Sequence, residues 1–258
     1  MTPYEVRQAI RAERFLENTS GYAPNFLQGN LAIVPRAMAA DFLLFCQRNP
    51  KPCPVLAVSD PGVPQIPQLG KDLDIRTDIP GYRIFRNGIC KGSVPNLKSV
   101  WRDDLVTFVL GCSFSFEEAL QRTGVPVRHT NARRNVPMYI TNLQTNAAGP
   151  FSGPIVVSMR AFSPSDAIKA IVLSERYPEA HGAPLHIGDP ATIGIADINK
   201  PEFGDAPIIE PGDITVFWAC GVTPQMAIQQ AAPDLAVTHE PGFMLVTDLV
   251  AEGASIGL

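Results

Sequence analysis

Proline and glycine decide what this chain can build. Twenty-five prolines and 20 glycines are scattered through 258 residues without a period. They read as turn and helix-end punctuation between apolar segments, which excludes a collagen-like or solenoid repeat. Thr2-Pro3-Tyr4-Glu5 has the form of a capping box, so a helix is expected to start there and to carry Val6, Ile10, Phe15 and Leu16 on roughly one face until Ser20-Gly21 stops it. Leu31 to Val34 reads as a short extended run, Met38 to Gln47 as a helix closed by Asn49-Pro50, and Pro54 to Val58 as a buried strand. Tyr82 to Arg86 and Ile89-Cys90 flank Asn87-Gly88, the dipeptide of a tight hairpin. Asp103 to Val109 is helical by pattern, and the capping box Ser115-Phe-Glu-Glu118 predicts a further helix ending at Gly124. Met138 to Thr141, Pro154 to Arg160, Ile214 to Ala219 and Phe243 to Val246 read as strands. Ser163-Pro164-Ser165-Asp166 and Thr223-Pro224 open helices.

At least six short strands and five helices are too many for one sheet with a single layer of helices. The expected fold class is therefore a mixed α/β fold of two subdomains with a crevice between them. Residues 1–110 and 205–258 would form an outer α/β subdomain, and residues 111–204 a smaller inserted α+β subdomain. An apolar fraction of 45% and a charged fraction of 18% suit a globular protein with a real core. A net charge of −4, with 21 basic residues spread thinly, leaves no footprint for a nucleic-acid partner. Met1 to Phe15 lacks the apolar core of a secretory signal, and the charge-free stretch from Ile214 to Pro233 holds Gly221, Pro224, Gln225, Gln229 and Gln230. No membrane span and a cytoplasmic location are expected from these features. The five cysteines are an odd set at wide spacings, which predicts reduced thiols with neither a disulfide framework nor a zinc knot.

Two segments share one pattern, an apolar run followed by Gly111-Cys112-Ser113 or Cys220-Gly221-Val222 and then a helix start, the second at Thr223. Helix amino termini hold carboxylates and depress a nearby thiol, so both are candidate carboxylate cradles, and Cys112 and Cys220 are candidate catalytic groups. The alternative is that both are small buried hydrophobes. His181-Gly-Ala-Pro-Leu-His186-Ile-Gly-Asp189-Pro190 is the densest polar loop, and His186 oriented by Asp189 is the acid/base candidate; a structural histidine beside a capping aspartate is the other reading. No helical histidine repeat or paired thiolates accompany it, so neither a metal nor another cofactor is expected. Arg133 and Arg134 precede a strand whose alternation would send Asn135, Tyr139 and Thr141 to one side, which suits recognition of a carboxylate. Asn25 and Gln28 offer neutral amide contacts, and His239-Glu240 is a weaker candidate.

Six segments also carry a resemblance. Gly21 to Asn30, Leu110 to Glu117, Asn135 to Asn142, Gly153 to Arg160, His181 to Pro190 and Phe217 to Gln225 together resemble the YcsI-type hydro-lyase family, which includes the domain of D-glutamate cyclase. The likeness runs over nearly the whole chain. It implies a two-part α/β fold and a lyase that forms 5-oxo-D-proline and water from D-glutamate; a cofactor-independent carbon-oxygen lyase is the leading expectation. It gives no individual residue a role. Such a reaction needs a base, an acid and aimed donors, for which His186 with Asp189, the amides after Cys112 or Cys220, and Arg133 and Arg160 on the substrate's carboxylates are the expected groups. The partner is then a small carboxylate or amino acid, and self-association as a homo-oligomer stays open. Dehydration of a small hydroxy acid and noncatalytic carboxylate binding are the rival functions.

Overall fold

The computed structural model describes residues 1–251 and places them in two antiparallel sheets with helices packed on and between them. The capping box forms as expected: Thr2 accepts from the Glu5 amide and Glu5 reaches back to the Thr2 amide, opening α1 (Pro3–Arg11). The helix stops at Arg11 rather than running on to Leu16, which is exposed while Phe15 is buried. Next come β1 (Phe26–Pro35), α2 (Arg36–Arg48), β2 (Val55–Val58) and the hairpin of β3 (Tyr82–Arg86) and β4 (Ile89–Val94), with Asn87 and Gly88 both at positive φ as the turn requires.

The segment expected to be a helix from Asp103 to Val109 is instead the strand β5 (Leu105–Gly111). Every residue in it is buried, because it lies between β1 and β2 with both faces covered. A continuous run of β-branched and aromatic residues of this kind belongs in the middle of a sheet. Behind it follow α3 (Phe114–Arg122), α4 (Arg128–Asn131), β6 (Met138–Gln144), β7 (Pro154–Phe162), α5 (Pro164–Ser174), the two-residue β8 (His186–Ile187), β9 (Ile214–Ala219), α6 (Thr223–Ala231), β10 (Ala236–His239) and β11 (Leu245–Val250). The proposed capping box at Ser115 does not form: α3 already begins at Phe114, and the Ser115 hydroxyl accepts from the Gln28 amide of β1 instead.

The seven-stranded sheet runs β2-β5-β1-β10-β3-β4, with β11 also pairing β1, and the four-stranded sheet runs β6-β7-β9-β8. Strand β9, at 214–219, pairs with β7 and β8, so the second sheet extends past position 204. One face of the large sheet packs Leu31, Ile33, Val109 and Val237 against Ile66, Leu69, Leu73 and Ile75 of the turn-rich stretch. The other face packs Ala32, Val34 and Phe108 against Phe42 and Phe45 of α2 and Ile228 of α6. Helix α3 leaves the large sheet and lays Phe116 and Leu120 against Trp218, Val216 and Phe162 of the small one. Cys112, Phe114, Val136, Met138, Val156, Cys220 and Met244 form an apolar cluster drawn from both sheets. Among the described residues no helix is long and apolar enough to cross a membrane.

Candidate active site

The two helix tips singled out in the sequence do meet, on either side of Asn30 in β1. Its Nδ2 donates to the Gly111 carbonyl at 2.6 Å, and a Cβ built on Gly221 would lie 2.1 Å from the Asn30 side chain. Gly111 is pressed from outside as well, since a Cβ there would come within 1.5 Å of the Glu179 carbonyl oxygen. Only glycine lets the two elbows close on Asn30. The cysteines beside them are not activated. Burial pushes the Cys112 thiol up to about 12 and the Cys220 thiol up to about 11, so both are neutral at pH 7 and the expectation of depressed, nucleophilic thiolates is corrected.

A charged network lies next to the first elbow. Glu117, on α3, and Arg160, on β7, are nearly inaccessible to solvent. Arg160 Nε donates to Glu117 Oε1 at 3.0 Å and its Nη2 makes a further short contact to the same oxygen. The rest of the guanidinium is fixed by Ser158 Oγ at 3.1 Å and Ser113 Oγ at 2.9 Å, and its carbon lies 5.3 Å from the centre of the Phe116 ring and 5.4 Å from that of Trp218. His129 Nε2 is 3.1 Å from Glu117 Oε1 but off the line of a hydrogen bond, so that contact is electrostatic. Burial alone would raise the Glu117 carboxyl; the charges of His129 and Arg160 outweigh it and hold the group down to about 2. Glu117 Oε2 also receives the hydroxyls of Thr130 and, at longer range, Ser20.

This network forms one wall of a hollow. Between α3 and the loop at residues 21–26 is a hollow lined by Asn25, Gln28, Ser115, Glu117, Glu118 and Thr130 among others. It adjoins a wider outer hollow, which shares Gly21, Tyr22 and Thr130 and is flanked by Arg133 and Arg134. Gly21, Ala23 and Asn25 all take positive φ, which folds the loop tightly enough to roof the inner space. Asn25, Gln28 and Arg133 are thus brought to one place. Arg160 belongs to it only through Glu117, because its donors are taken up by protein partners.

Other sequence candidates lie elsewhere. His186 is on the edge strand β8, with its ring against Phe217, on the face of the small sheet opposite Arg160. Its Nε2 is 2.9 Å from the Asp189 backbone oxygen, while the Asp189 carboxylate caps the Ala191 amide at 2.9 Å. The expected carboxylate-to-imidazole orientation is therefore absent. Tyr139 donates to the Ile198 carbonyl and Thr141 to the Ile155 carbonyl on that same far face, whereas Asn135 donates to the Pro241 carbonyl, so the three do not share one side. Asn135 precedes β6, so that strand's alternation does not extend to it. Thr223 is occupied by the Val156 backbone. His181 and His239 are buried, and burial pushes each down to about 4. Among the described residues no three His, Cys, Asp or Glu side chains are grouped as metal ligands.

Glu117, Glu118, His129 and Thr130 were not among the sequence candidates. A signal for Glu117 was present: Arg160 alternates with Val156, Ser158 and Phe162 on the inward face of an apolar strand, and a guanidinium buried there requires a buried acid. Glu117, set between Phe116 and Leu120, was the acid at hand.

Comparison with known proteins adds the following. The family model described as D-glutamate cyclase matches residues 106–248. A protein named "Putative hydro-lyase" from Verminephrobacter eiseniae is 58% identical over 246 residues, covering 95% of this chain and 90% of that protein. A protein named "Putative hydro-lyase Bpet2233" from Bordetella petrii is 57% identical over 249 residues, covering 96% of this chain and 94% of that protein. A protein named "Putative hydro-lyase Mrad2831_3350" from Methylobacterium radiotolerans is 56% identical over 95% of this chain and 91% of its own length. Among solved structures, a nitrogen repressor-like protein from Methanococcus jannaschii aligns over 98% of this chain and 99% of its own at 10% identity and a TM-score of 0.39, too low to equate the two folds.

Proposed function

We propose that this chain, which belongs to the D-glutamate cyclase family, is a hydro-lyase that closes D-glutamate to 5-oxo-D-proline at the hollow under α3. The observation that carries this reading is the pair of adjacent glutamates on α3. Glu117 is tied into the core as a fixed charge, while Glu118 lines the hollow with its Oε2 buried and without a partner. In the reaction the amine nitrogen bonds to the distal carboxyl carbon and one C–O bond breaks. Two of the three ammonium protons finish in the departing water, so the net reaction neither consumes nor releases a proton. A single carboxylate that takes protons from nitrogen and hands them to the leaving oxygen meets that balance, and Glu118 is the group in position to do so. The Ser115 oxygen is taken by the Gln28 amide, which leaves the hydroxyl proton available to the oxygen that gains charge.

Glu117, Arg160 and His129 act as positioning residues that fix α3 and so the direction of Glu118. Glu118→Gln should lower turnover by about 100-fold or more, read as D-glutamate loss and 5-oxo-D-proline formation on a stereospecific column. Unchanged turnover in the folded variant removes the assignment. Enoate absorbance from a hydroxy acid, with no cyclic product from D-glutamate, would replace the reaction itself by dehydration.

A further inference from the structure

Gln28 has one polar atom that the protein does not use. The residue is 3% exposed; its Nε2 donates to the Thr19 carbonyl at 3.0 Å and the Tyr22 carbonyl at 3.1 Å, while Oε1 has no partner. An amide flip cannot cure this, because it would turn an oxygen toward two carbonyls. The free acceptor belongs to a residue that lines the inner hollow, where the other orphaned buried acceptor is Glu118 Oε2. A buried acceptor without a partner is costly unless something arrives to donate to it. The need here is for a group with several protons and a positive charge. Outside, across the shared wall of Gly21, Tyr22 and Thr130, Arg133 and Arg134 present the opposite requirement.

We propose that the two hollows read an amino acid by its ends: Gln28 and Glu118 hold the ammonium inside, and Arg133 and Arg134 hold the α-carboxylate outside. This deepens the function proposed above and rests on it for the class of substrate. The arrangement leaves the amine, not the α-carboxylate, beside the group that moves protons. It also gives the site a reason to reject diacids, which bring no donor for Gln28.

Binding of compounds that cannot cyclise separates this from the reaction. By titration calorimetry, D-norvaline has both ends, pentanoate has only the carboxylate and pentylamine only the ammonium. Gln28→Met should weaken D-norvaline and pentylamine by tenfold or more and leave pentanoate unchanged. The double variant Arg133→Ala/Arg134→Ala should weaken D-norvaline and pentanoate and spare pentylamine. If Gln28→Met melts below the assay temperature, Glu118→Gln, which keeps the side chain's shape, carries the same comparison. Equal loss of all three compounds in either variant, no loss in any, or no binding of D-norvaline to the wild-type protein overturns the two-ended site. Cyclic product from D-glutamate alongside such a result would leave the proposed reaction standing, and its absence would end both.

Discussion

At the scale of single residues Glu117 is a buried charge whose ionisation folding controls. Its carboxyl is held at about 2 against an ordinary 4.5, so the folded state binds its proton less readily than the unfolded state does. A depressed acid contributes its full stabilisation above the unfolded value and loses it as pH falls through the folded one. Glu117→Gln leaves Arg160 buried without its counter-charge, which should cost about 3–5 kcal/mol at pH 7. In urea titrations the gap between wild type and variant should shrink as pH falls from 4.5 to 2. A gap that persists unchanged at pH 2 would show that Glu117 acts by packing rather than by charge. Residue types in the hollow are partly legible: Asn25 and Gln28 stand out as polar groups in a glycine-bounded loop, and Arg133 as one of an arginine pair before a strand. Glu118 does not stand out, because a glutamate in the first turns of a helix reads as ordinary capping until the structure shows which way it faces.

At the scale of elements, punctuation was readable and direction was not. Capping residues and the Asn87-Gly88 turn announce α1, α5 and the β3-β4 hairpin because their chemistry is local. Strand β5 carries a helix-like pattern because its run Leu105-Val-Thr-Phe-Val-Leu-Gly is buried on both faces, and burial on both faces erases the period that tells strand from helix. What does mark its end is Gly111, which the structure explains by the Glu179 backbone 1.5 Å from where a Cβ would be. Backbone cannot yield as a flexible side chain can. Gly111→Ala should therefore part β5 from the turn at Pro178–Ala180 and destabilise the fold by about 3 kcal/mol or more, measured as a lowered urea midpoint. A midpoint unchanged from wild type would mean that this elbow closes more loosely than the geometry states.

For the whole molecule the question is whether two sheets make two folding units. Sequence patterning divides the chain into an outer part and an insertion, yet it cannot reveal how tightly the parts are joined, since the joining contacts are between residues far apart in the chain. Links across the division include Asn135 with the Pro241 carbonyl, the Asn146 amide with Asn49 Oδ1, and the apolar cluster that combines Cys112, Val136 and Val156 with Cys220 and Met244. Helix α3 starts at the end of a large-sheet strand and buries Phe116 against Trp218 of the small sheet, so neither sheet keeps its core if the other opens. One cooperative transition is the expected outcome. The two tryptophans test it, because Trp101 packs against the large sheet's core and Trp218 lies inside the small sheet. In Trp101→Phe the remaining fluorescence follows the small sheet, and in Trp218→Phe it follows the large one. Within each variant the urea curve from fluorescence should coincide with that from far-ultraviolet circular dichroism. If Trp218 fluorescence changes ahead of the dichroism, the insertion opens on its own. The hollow under α3 would then be a hinge line between independent domains rather than a preformed cavity in one.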